Sequence, residues 1–68
     1  MAQQSRRFLR LREVQHQTGL GRSALYQAIR EGKFPRPYSI GPRSVAWASN
    51  EVDAWMDSRV TASRRAAA

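Results

Sequence analysis

Gly19, Gly32 and the proline pair Pro35 and Pro37 cut this chain of 68 residues into pieces that admit only short helices and strands. Gly19 stands where a glycine in the left-handed conformation ends a helix, and Gly32 repeats the signal. Each proline disfavours the helical region for the residue before it, so Phe34-Pro35-Arg36-Pro37 reads as an extended, stiff connector. Between the glycines lies a helix that starts at about Gly21 or Arg22 and runs for about three turns. Its Leu25 and Ile29 are i, i+4 partners with Ala28 beside them, which makes a narrow anchoring face. Ser23, Tyr26, Gln27 and Arg30 fall at i, i+3, i+4 and i+7 on the other face, which is polar and carries a cation. Such a helix suits a major groove, and it equally describes an amphipathic surface helix. The remainder of the chain decides between them.

Ahead of it, Leu11, Val14 and Thr18 are spaced i, i+3, i+7 and predict a first helix from near Leu11 to Thr18, with Leu20 tucked under the turn. After the connector, Tyr38 and Ile40 flank Ser39, and Val45 and Trp47 flank Ala46. Gly41-Pro42-Arg43-Ser44 between them predicts a hairpin closed by a type I turn, with one aromatic and aliphatic face and Arg43 at the tip. A third helix is predicted from about Ser49 to Arg59. Val52, Trp55 and Met56 form its buried stripe, Ser49 or Asn50 caps it, and Glu51 and Asp53 sit in the first turn, where the helix dipole favours anions. Residues 1–7 read as a flexible basic arm and 60–68 as a flexible basic tail with Arg64 and Arg65. The expected fold is mainly α with a β-hairpin, a minimal winged helix-turn-helix occupying 8–59. Its expected core is Val14, Leu20, Leu25, Ile29, Phe34, Ile40, Val45, Trp47, Val52 and Trp55.

A single domain of this size buries only about 60% of the surface its unfolded chain exposes and has no room for a large substrate pocket. There is no cysteine and one histidine, His16, so disulfides and thiolate metal sites are excluded. Asp53 and Asp57 lie one turn apart on a helix that reads as solvated, and no glycine-rich phosphate loop occurs. No catalytic residue, metal, cofactor or small-molecule substrate is therefore expected, and the chain does not read as an enzyme. No apolar run suits a signal peptide or a membrane span. The expected location is the cytoplasm, on the nucleoid.

Charge points to a partner. Twelve Lys and Arg against five Asp and Glu give a net charge of +7, and every cation except Lys33 is arginine. The arginine fork pairs with phosphate and with guanine edges. Arg22, Arg30, Lys33, Arg36 and Arg43 share their stretch with one anion, Glu31, whereas Ser44 to Ser58 carries Glu51, Asp53 and Asp57 and no cation. This division implies a defined docking face for double-stranded DNA. Ser23, Gln27 and Arg30 are the candidates for base edges, and Arg22, Lys33 and Arg36 for the backbone. Tyr26 has two readings, a hydroxyl on phosphate or a ring packed on the wing. Arg43 likewise either enters a minor groove or is a solvated turn residue. Trp47 and Trp55 belong to apolar stripes, which assigns them to the core rather than to base stacking.

Leu11-Arg12-Glu13-Val14, Thr18-Gly19-Leu20-Gly21-Arg22-Ser23-Ala24-Leu25-Tyr26, Gly32-Lys33-Phe34-Pro35, and Val45-Ala46-Trp47 with Glu51-Val52-Asp53-Ala54-Trp55 resemble the AlpA family of small prophage-type regulators. The resemblance spans about Phe8 to Arg59. It implies a MerR-like winged helix shared with phage excisionases, and a sequence-specific DNA-binding transcriptional regulator of a mobile genetic element. The alternative it implies is an excisionase, a recombination directionality factor that bends attachment-site DNA with an integrase as partner. The family usually has Ser where this chain has Gly21, and Thr where it has Ala24. With no coiled coil to build a two-fold dimer, self-association is expected head-to-tail along DNA.

Overall fold

The computed structural model describes residues 6–67. In it α1 (Leu11–Thr18) and α2 (Arg22–Arg30) meet across Gly19, Leu20 and Gly21. Gly19 takes φ +77° and its N–H donates to the Gln15 carbonyl at 2.8 Å, closing α1. The Thr18 hydroxyl stitches the turn by donating to the Val14 carbonyl at 2.8 Å and accepting the Leu20 N–H at 3.2 Å. Gly21 then begins α2 in an extended conformation, and its carbonyl accepts the Leu25 N–H at 3.0 Å. At the far end Gly32 takes φ +74°. Its N–H donates to Ile29 and the Lys33 N–H to Ala28, the paired bonds of a Schellman motif.

The sheet has a strand that no sequence signal announced. β1 (Phe8–Leu9) pairs antiparallel with β3 (Ser44–Ala48), which pairs antiparallel with β2 (Tyr38–Gly41) on its other side. The Arg7 carbonyl accepts the Ser49 N–H at 2.8 Å and the Arg7 N–H donates to Ser49 Oγ at 2.9 Å. The expected basic arm therefore loses Arg7 to the folded body, and its residues 1–5 lie outside the described residues.

Register corrects the expected wing. Tyr38 pairs with Ala46 and Ser39 with Val45, with an irregularity between Ser39 and Gly41. Because side chains alternate, Tyr38 lies on the face opposite Val45 and Trp47. The two apolar sets therefore split between the faces instead of sharing one. Ile40, at the irregularity, is 41% exposed, and Val45, toward the tip beyond Trp47, is 40% exposed. Neither belongs to the core. The tip differs as well. Arg43 has φ +56°, which excludes a type I turn and has the sign that type II requires at its third position.

The core is Leu9, Val14, Leu25, Phe34, Trp47 and Val52, with Leu20, Ile29, Trp55 and Met56 partly buried against it. α3 (Ser49–Ala67) runs past Arg59 through the segment expected to be a tail. That segment has no Gly or Pro, four of its nine residues are alanine, and Arg64 and Arg65 complement the helix dipole in the last turn. From Asp57 to Ala66 it is exposed, which is why no apolar spacing betrayed it. Ala68 lies outside the described residues.

Candidate nucleic-acid interface

α2 turns one side to the core and the other to solvent. Leu25 is fully buried and Ala28 and Ile29 are half-buried, whereas Ser23, Gln27 and Arg30 are exposed. At about 100° per residue the exposed trio fits within about 60° of arc, a single ridge along the helix. Tyr26 leaves that ridge. It is half-buried against the core, its ring meets Trp47 edge-on at 6.4 Å between centroids, and the Arg22 guanidinium lies 5.7 Å from the ring centroid. Of the two readings of Tyr26, ring packing describes its position, and only its hydroxyl remains for phosphate.

Two indoles, one from β3 and one from α3, hold the connector that follows this helix. Trp47 Nε1 donates to the Pro35 carbonyl at 3.0 Å, and Trp55 Nε1 donates to the Lys33 carbonyl at 2.7 Å. Phe34, held between them in sequence, is buried and packs on Trp55 with ring centroids 4.8 Å apart. Trp47 thus touches α2 through Tyr26, the connector through Pro35 and the wing through its own strand. Helix, connector and wing meet at one buried side chain.

Arg22, Arg30, Lys33, Arg36 and Arg43 are all exposed. Two of the three anions of α3 are engaged elsewhere: Tyr38 donates its hydroxyl to Glu51 at 2.6 Å, which pushes the phenol pKa up, and Gln17 donates to Asp53 at 3.2 Å. Arg43 holds its positive φ without being glycine, a conformation that costs about 1–2 kcal/mol. Sequence reasoning missed Glu31. Its carboxylate accepts from Gln27 Nε2 at 3.1 Å and lies 3.5 Å from Lys33 Nζ. The Gln27 bond first, and the Lys33 charge after it, hold the Glu31 pKa below its ordinary value. The i, i+4 spacing of Gln27 and Glu31 was the available signal.

His16 is exposed on α1, and among the described residues no three His, Cys, Asp or Glu side chains gather around one point. Among the same residues no helix is long and apolar enough to cross a membrane.

Residues 7–60 match the family model described as prophage CP4-57 regulatory protein (AlpA). The chain belongs to the AlpA family. This AlpA-family chain is 49% identical over 59 residues to the uncharacterized protein ORF88 of Enterobacteria phage P4, covering 87% of this chain and 67% of that protein. It is 32% identical over 59 residues to the DNA-binding transcriptional activator AlpA of Escherichia coli (strain K12), covering 78% of this chain and 84% of the relative. No solved structure matches it. The AlpA match begins at Arg7, the residue clipped to Ser49, and ends at Val60, just beyond the expected end of the third helix.

Proposed function

We propose that this AlpA-family chain is a sequence-specific double-stranded DNA-binding protein that regulates transcription of a mobile genetic element. The observation that carries the reading is the exposed Ser23, Gln27 and Arg30 ridge on a helix whose opposite side is locked into the core. In this reading α2 enters the major groove, Gln27 pairs with adenine and Arg30 with guanine. Arg22, Lys33 and Arg36 neutralise phosphates, joined by the Tyr26 hydroxyl, and set the register. The wing places Arg43 in the adjoining minor groove. The strained backbone at Arg43 supports a functional reason for keeping a cation there. The binding unit is the domain drawn at 8–59, with Arg7 attached, and the protein works in the cytoplasm. One such ridge reads few base pairs, so several copies bind adjacent sites head-to-tail.

Selection from a random duplex pool tests the reading. Enrichment of one short motif is the expected result. No enrichment, or displacement of the selected duplex by structured RNA at equal concentration, would overturn it. Footprinting then separates the roles. A promoter site supports regulation, whereas bent direct repeats at an attachment site support excision beside an integrase.

A further inference from the structure

Glu31 is the one anion between Arg22 and Arg43, and it stands exposed at the C-terminal end of α2. The helix dipole disfavours an anion there, and so does any polyanion that approaches this face. It shields no core residue. Its contacts lie instead with two candidate DNA-facing side chains: Oε2 accepts from Gln27 Nε2 at 3.1 Å and Oε1 pairs with Lys33 Nζ at 3.5 Å.

The chemistry of the first contact has a direction. An ionised carboxylate only accepts hydrogen bonds, whereas a primary amide has an accepting oxygen and two N–H donors. Glu31 therefore holds the nitrogen end of Gln27 and never the oxygen end. One N–H is occupied, which leaves the carbonyl oxygen and the second N–H as the amide's remaining acceptor and donor. An acceptor beside a donor is what the N6 amino group and N7 of adenine require. An amide with both N–H groups free can also bridge the two acceptors of guanine, O6 and N7. Tying one N–H removes that second mode.

We propose that Glu31 is a positioning residue for base readout: it orients the Gln27 amide toward adenine, while its charge lowers affinity for duplex of any sequence. The proposal rests on the reading of α2 as the major-groove helix. Glu31 itself touches no base. It acts through Gln27, and through its charge it holds Lys33 away from phosphate.

Glu31→Gln keeps the size, loses the charge and can hold either end of the Gln27 amide. Binding of the full chain to its selected duplex, to single-base variants of that duplex and to random duplex is measured for wild type, Glu31→Gln, Gln27→Ala and the double variant. The expected result is a several-fold gain on random duplex for Glu31→Gln, with a salt dependence steeper by about one phosphate contact. Discrimination of adenine from guanine at one position falls about tenfold. In the Gln27→Ala background Glu31→Gln still tightens random binding and no longer changes discrimination. Glu31→Ala, which cannot hold the amide at all, shows the same loss of discrimination. If Glu31→Gln discriminates as wild type does, this proposal alone is overturned. If discrimination still falls when Gln27 is alanine, the route through Gln27 is overturned. A wild-type chain that binds selected and random duplex alike overturns the readout itself, and this proposal with it.

Discussion

The indole N–H of Trp55 donates to the Lys33 carbonyl across 2.7 Å, so the helix with the acidic residues grips the end of the helix with the candidate reading ridge. Trp55→Phe keeps an aromatic ring on Phe34 and removes the donor. We expect a loss of about 1 kcal/mol in a urea titration. Trp47→Ala removes the side chain on which α2, connector and wing converge. About 3–5 kcal/mol is expected for that change, comparable to the whole stability of a domain this small, so circular dichroism at 25 °C should show an unfolded chain.

The two glycines that bound α2 respond in opposite directions. A Cβ at either would meet nothing within 4 Å, so backbone conformation and capping alone decide. Gly21→Ser supplies the missing cap oxygen in an already extended N-cap and should raise stability by a few tenths of a kcal/mol. Gly32→Ala forces φ +74° on an L side chain and should lower it by about 1–2 kcal/mol. Thermal melts of both variants check the pair of signs.

Arg43 separates stability from binding. Arg43→Gly relieves the left-handed strain, so stability should hold or rise by about 1 kcal/mol at most, read from the melting temperature. Duplex affinity should fall at the same time. A drop in both would mean that Arg43 supports the fold rather than a contact.

How much of this was legible in the sequence follows the range of the signals. Gly19, Gly32 and the Leu25 and Ile29 spacing are local, and the turn, both helix ends and the α2 anchor lie where they were read. β1 is only Phe8 and Leu9, and it exists by pairing with Trp47 and Ala48 far along the chain, which no short window contains. Ile40 and Val45 were misplaced for the same reason. Alternation marks which residues share a face of one strand, but the pairing of Tyr38 with Ala46 decides how the two strands' faces combine. The α3 extension escaped because alanine-rich helix without an apolar stripe resembles a tail. In the candidate site the exposed trio was legible, and the Glu31 clamp has a local i, i+4 signal, whereas choosing between the two readings of Tyr26 needed its tertiary contact with Trp47.

Acid should loosen the start of α1. Glu13 accepts the Arg10 N–H at 2.9 Å and pairs with Arg7 Nη1 at 3.3 Å; the backbone bond is the larger cause and the Arg7 bond the next, and both hold its pKa below the ordinary 4.5. The unfolded chain therefore binds this proton more readily than the folded one. The stabilisation is complete above the ordinary value and disappears as pH falls through the lowered folded value. Glu13→Gln should be less stable than wild type at pH 7, and the difference should vanish at a pH well below 4.5 when urea midpoints are compared.

The central claim is that the α2 ridge reads bases while the wing tip adds general affinity. Titration of wild type, Arg30→Ala and Arg43→Ala against the selected duplex and random duplex, at matched salt, tests it most directly. Arg30→Ala should lose about tenfold or more on the selected duplex and much less on random duplex, relaxing preference at one base pair. Arg43→Ala should weaken binding to all sequences or reduce the preference for A·T flanks. Equal losses on selected and random duplex for Arg30→Ala would contradict base readout by α2.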